Sequence, residues 1–164
     1  MKDNANEMKR HKSNICRQTS SVKWAAAALL ALTLLSSCEL ETSDNKKLDG
    51  YWRLQQVDTI ATGGVNAMQG KRIFWAFQHK LLLLRDIDGK TYNCLSRFER
   101  QGDNLLLSQP YRYDREHGDE PLTSTKLLQP YGVNELNEHF RIDKLSSSKM
   151  VLSSPKLRLH FVKF

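Results

Sequence analysis

Beyond residue 48 the chain alternates apolar and polar positions with a period of two, broken every six to ten residues by Gly, Asp, Ser or Pro, and this pattern predicts strand after strand. Residues 50–58 (GYWRLQQVD) place Trp52, Leu54 and Gln56 on one face. A loop with Gly63, Gly64 and Gly70 leads to the strongly aromatic run 72–78 (RIFWAFQ), and His79-Lys80 turns the chain into 81–87. Asp88-Gly89 is a two-residue hairpin signal before 90–100, where Tyr92, Cys94, Ser96 and Phe98 share a face. Gln101-Gly102-Asp103 turns into 104–109. After the polar connection 110–137, with a short helix expected near 124–128, the rhythm resumes over 139–145, 149–153 and 156–164. The expected fold is all-β: an up-and-down antiparallel meander of about eight strands. Closing such a meander removes its exposed edges, so a barrel is preferred over a sandwich.

The first 37 residues follow another rule. Six Lys/Arg and two Asp/Glu fall there, and the run 24–35 (WAAAALLALTLL) carries no charge. This is an n-region followed by an h-region, with translation starting at Met1 or Met8. Twelve apolar residues are too few to span a hydrocarbon core of about 30 Å. The run ends in Leu35-Ser36-Ser37-Cys38, which resembles the lipobox of bacterial lipoproteins; a plain signal peptide with a chance cysteine is the alternative. The resemblance implies a signal peptide over residues 1–37, an acylated Cys38 at the mature N-terminus, and a polar tether over 38–47. Two or three acyl chains hold a protein firmly where one holds it marginally. The acidic residues Glu39 and Glu41 resemble the export segment of Bacteroides-group lipoproteins, so the chain is expected in the cell envelope, on the periplasmic or surface face of the outer membrane.

Composition narrows the function. The net charge of +7 is largely a property of the leader, and the remainder is a mixed-sign surface with no cationic run, which argues against a nucleic-acid partner. With Cys16 in the leader and Cys38 acylated, Cys94 is the one thiol of the mature domain, so no intramolecular disulfide forms. Its place in a strand pattern reads as a small core residue rather than a nucleophile. His79, His117, His139 and His160 have no His or Cys neighbour at ligand spacing, so no metal is expected. Asp86-x-Asp88-Gly89 lacks the later ligands of a calcium loop, and Asp114, Glu116, Asp119 and Glu120 read as a solvated acidic loop. There is no phosphate-binding loop and no Gly-x-Ser-x-Gly elbow, so neither catalysis nor a cofactor is expected.

Gly50-Tyr51-Trp52 at the head of the first strand, with Phe140 to Ser146, Lys149 to Leu152 and Leu157 to Lys163 at the end, resembles the lipocalin-like domains of small Bacteroides lipoproteins. The resemblance covers residues 48–164 and implies an eight-stranded barrel whose motif tryptophan, Trp52, closes one end against an Arg of the last strand, with Arg158 the nearest candidate. It also implies non-enzymatic binding of a small apolar or amphipathic ligand. The expected cavity lining is Trp52, Leu54, Trp75, Phe77, Tyr92, Phe98 and Phe140. Other readings are a filled barrel that binds a protein through loops such as 111–121, an envelope hydrolase, and a transmembrane barrel, the last disfavoured by short strands.

Overall fold

The alternating runs pair with their neighbours in the order in which the chain presents them. A computed structural model describes residues 44–164 of the protein; the expected signal peptide, Cys38 and the first part of the expected tether lie outside the described residues. The strands are β1 (Gly50–Thr59), β2 (Gly64–Ala67), β3 (Ile73–Gln78), β4 (Leu81–Asp86), β5 (Cys94–Gln101), β6 (Asn104–Arg112), β7 (Glu120–Pro121), β8 (Glu138–Leu145), β9 (Lys149–Ser153) and β10 (Leu157–Lys163). Eight of them, β1-β3-β4-β5-β6-β8-β9-β10, form one antiparallel sheet that closes when β10 pairs with β1. The short β2 and β7 extend the edges of β1 and β6. The expected meander and barrel are therefore observed.

Inward positions are apolar and outward positions carry charges such as Arg53, Arg85, Arg97 and Glu99, the reverse of a transmembrane barrel. Trp75 sits at the centre of the interior, with Phe161, Phe140 and Phe77 at ring-centroid distances of 5.1, 5.7 and 6.1 Å. Phe77 in turn meets Phe98 edge-on at 5.0 Å. Such tilted and edge-to-face pairs suit the positive rim and negative face of aromatic rings.

Both ends are closed by the chain itself. At the entry end, a 3-10 turn (Lys46–Leu48) places buried Leu48 beneath the barrel, and Trp52 Nε1 donates to the Leu48 carbonyl at 2.7 Å. At the loop end, the 122–137 segment forms a roof. Its 3-10 turn (Gln129–Tyr131) is stopped by Gly132 at φ +84°, and Leu128, Tyr131 and Val133 are buried. Trp75 Nε1 donates to the Tyr131 carbonyl at 3.1 Å, and the Tyr131 hydroxyl donates to the Tyr92 carbonyl at 2.9 Å. Glu138, itself buried, accepts the backbone N–H groups of Asn134 and Glu135.

Four local expectations are corrected. The register slips between Leu54 and Gln56, so Gln55 is an extra residue and Val57, not Gln56, packs against the core. The hairpin expected at Asp88-Gly89 is a longer connection, and β5 begins at Cys94 rather than at residue 90. Asp86 causes this: its carboxylate gathers the N–H groups of Asp88, Lys90 and Thr91, and its own N–H donates to Asn93 Oδ1. The helix expected at 124–128 is the 3-10 turn at Gln129–Tyr131, where Pro130 supplies a helical φ and Gly132 ends the turn. Arg158 is not the cation beside Trp52. The β1–β10 register puts Arg158 opposite Asp58 near the loop end and Lys163 opposite Trp52.

Candidate functional site

Because side chains alternate along each strand, Trp52 and Leu54 of β1, Trp75 and Phe77 of β3, Phe98 of β5 and Phe140 of β8 all reach the same interior. They fill it. None of the six exceeds 2% exposure, and they are packed against Leu84, Leu105, Met150 and Leu159. Tyr92 does not join them. It is 62% exposed, because the Asp86-centred connection lifts it off the strand; its ring lies beneath Arg112, with the guanidinium carbon 5.6 Å from the ring centroid.

Open space occurs instead just above this core. A recess of about 260 Å³ opens at the loop end, lined by Met68, Lys71, Ile73, Asp86, Asp88, Lys90, Thr91 and Pro130. Met68 and Ile73 form its apolar wall and Pro130 of the roof its far side. Of its charges, Asp86 is committed to backbone N–H groups and Asp88 is gripped by Arg72, whose Nε lies 2.6 Å from Oδ1. Those Arg72 hydrogen bonds hold the Asp88 carboxyl below the usual aspartate range. Lys71 and Lys90 make no ion pair among the described residues. Chemically the recess can accept a small apolar group with a polar or anionic end. Met68 was the missed signal: between the glycine pair 63–64 and Gly70 it shares a short segment with Val65 alone among large apolar residues, too little to register as a strand.

Most of the remaining candidate groups have structural roles. Cys94 is fully buried, and burial pushes its thiol up to about 11, so it is protonated at neutral pH. Asp114 accepts the N–H groups of Glu116 and His117, Asp119 accepts that of Asp114, and Arg112 pairs with Glu120 at 3.2 Å. His160 meets Asp58 at 2.7 Å on the outer wall. Among the described residues no three His, Cys, Asp or Glu side chains converge as metal ligands.

Comparison with known proteins agrees with this architecture. A lipocalin-like protein from Bacteroides uniformis superposes with a TM-score of 0.54 at 21% identity, covering 72% of this chain and 99% of that one. A protein from Bacteroides eggerthii is similar at a TM-score of 0.49 and 15% identity, over 71% of this chain and 98% of its own. No curated protein sequence matches the chain. The family model of the lipocalin-like domain matches residues 33–164, which include every strand of the barrel, and the chain belongs to that family.

Proposed function

We propose that the protein is an exported lipoprotein, held to the cell envelope at the outer membrane by acyl chains on Cys38, whose lipocalin-like barrel binds a small apolar or amphipathic molecule without catalysing a reaction. The observation that carries the ligand half is the recess walled by Met68, Ile73 and Pro130 directly above the aromatic interior. Six of the seven residues expected to line a cavity are close-packed, so the ligand sits at the mouth of the barrel rather than in its depth. The anchor half rests on the motif that ends in Cys38.

The test is native mass spectrometry of residues 39–164 purified from their own envelope, with organic extraction, beside a Met68→Trp variant that fills the recess. A discrete small molecule on the parent, absent from the variant, is the expected result. An empty parent overturns the ligand half. Separately, Cys38→Ala in the full chain abolishes acyl labelling and releases the protein from the membrane fraction; retention there overturns the anchor.

The filled interior favours a second reading, in which the barrel is an accessory subunit that binds a protein through residues 111–121. That reading requires a co-purifying protein and no bound small molecule.

A further inference from the structure

Two features meet at the entry end of the barrel. First, its cations stand without acidic partners. Lys46, Lys47, Lys80 and Lys149 are exposed and make no ion pair among the described residues; at the loop end Lys71 and Lys90 are likewise unpaired, while Arg72, Arg112 and Lys156 each sit on a carboxylate. These four lysines belong to one end of the molecule: Asn45 beside Lys46 donates to the His79 carbonyl next to Lys80, and Lys163 joins the Lys47 carbonyl to the Ser148 carbonyl beside Lys149. Second, three large apolar side chains are exposed there, as Ile60, Val65, Ile87 and Tyr92 are at the loop end. Phe164 is 87%, Leu81 47% and Tyr51 43% exposed. Phe164 N–H donates to the Tyr51 carbonyl, so these two are neighbours. On the outer wall Tyr51 pairs with the buried Ala76, which pairs with Leu83, and Leu83 with Leu95, so the apolar row continues from strand to strand.

We propose that this end is a docking surface for an anionic lipid bilayer, with the lysines facing headgroup phosphates and Phe164, Leu81 and Tyr51 reaching the acyl boundary. Cations near a charged bilayer add attraction, and exposed aromatic and aliphatic side chains partition into its interface. The occupant is selected by charge complementarity and by where the chain enters. Asp44 leads directly into this end, and the six residue-to-residue steps from Cys38 to Asp44 reach roughly 20 Å at most. An acyl anchor on Cys38 would therefore hold this end, and not the loop end, within reach of the membrane. The recess would then open away from the bilayer. This orientation rests on the acylation of Cys38; the affinity of the surface for lipid does not.

The test uses residues 39–164, which contain the closed barrel with its own core and lack Cys38, so that binding and acylation are read apart. Co-sedimentation is measured with vesicles of phosphatidylcholine alone and with a third phosphatidylglycerol. Preferential binding to the anionic vesicles is expected, falling about tenfold or more when Lys47, Lys80 and Lys149 are all changed to Glu, and weakening as salt rises. A second variant, Phe164→Ser with Leu81→Ser, weakens binding to the anionic vesicles while keeping its salt dependence. Circular dichroism confirms that both variants fold. Absent binding, equal binding to both vesicles, or binding unchanged by the lysine substitutions overturns the proposal. So does a stable dimer in sedimentation that the Phe164 and Leu81 changes dissolve, since a second copy would then cover the patch.

Discussion

Lys163 stands over Trp52, its Nζ 4.7 Å from the ring centroid, and the two residues are direct partners across the seam where β10 closes onto β1. The same ammonium donates to the carbonyls of Lys47 and Asp49, so one cation joins the first strand, the last strand and the 3-10 turn beneath them. A cation on an indole face is worth about 0.5–2 kcal/mol and a charge-assisted hydrogen bond about 1.5–3 kcal/mol, less where water competes. Lys163→Met is therefore expected to cost about 1–3 kcal/mol in urea unfolding. Arg158→Met, which removes an exposed contact 3.5 Å from Asp143 and one of the charges near Asp58, should stay within about 0.5 kcal/mol. Equal losses from the two would show that the seam has no special cation.

The alternation that marks β1, β5 and β10 survives because inward residues such as Trp52, Phe98 and Leu159 must be buried and their neighbours need not be. That made the barrel and six of its interior residues legible. The extra residue at Gln55 was not legible, since a bulge changes which face a residue takes without changing the composition. Nor was the outward position of Tyr92, which depends on Asp86 gathering three backbone N–H groups several residues away. The roof is a third case. Leu128, Tyr131 and Val133 show no two-residue period because they fill the mouth from a loop, and tertiary packing alone makes them core.

Acid should loosen the outer wall of the same seam. Burial pushes the Asp58 carboxyl up, but hydrogen bonds from Gln56 and His160 and the charges of His160 and Arg158 outweigh it and hold the group below the ordinary aspartate range. A carboxyl lowered on folding contributes stability that is complete above its unfolded value, near pH 4, and is lost as pH falls through the lower folded value. Asp88, Asp114 and Asp143 are lowered too and act with the same sign. Urea unfolding of the parent should therefore weaken between pH 5 and pH 3, and Asp58→Asn should show a smaller loss over that window. An identical acid response in the variant would remove Asp58 from the account.

Gly132 controls how closely the roof sits on the core. Its φ of +84° is a left-handed conformation, and a Cβ there would lie 2.7 Å from Leu159 Cδ2. The backbone penalty alone is roughly 1–2 kcal/mol, and the clash must be relieved by moving the roof or Leu159. Gly132→Ala is expected to destabilise by about 2–3 kcal/mol, with a change in Trp75 emission because the indole N–H donates to the adjacent Tyr131 carbonyl. Gly118→Ala, also at positive φ (+94°) but with nothing near its Cβ, isolates the backbone part and should cost less. Equal costs at the two glycines would mean that the approach to Leu159 is unimportant.

Cys94 reports on that roof chemically. Its sulfur is buried, 3.9 Å from the Leu127 carbonyl of the roof segment, and its thiol is pushed up to about 11, so both access and thiolate formation depend on the segment staying in place. In residues 39–164 it is the sole thiol. Under native conditions at pH 8 an aromatic disulfide reagent is expected to react with it far more slowly than with the unfolded chain. The Gly132→Ala protein should react faster at urea concentrations below its unfolding midpoint, because lifting the roof uncovers the sulfur before the barrel opens. The recess shares Pro130 with this roof, so a ligand that binds there should slow the reaction in the parent protein. Rapid labelling of the parent in buffer would place the loop end open in solution, and the closed mouth on which the recess depends would not describe the working state.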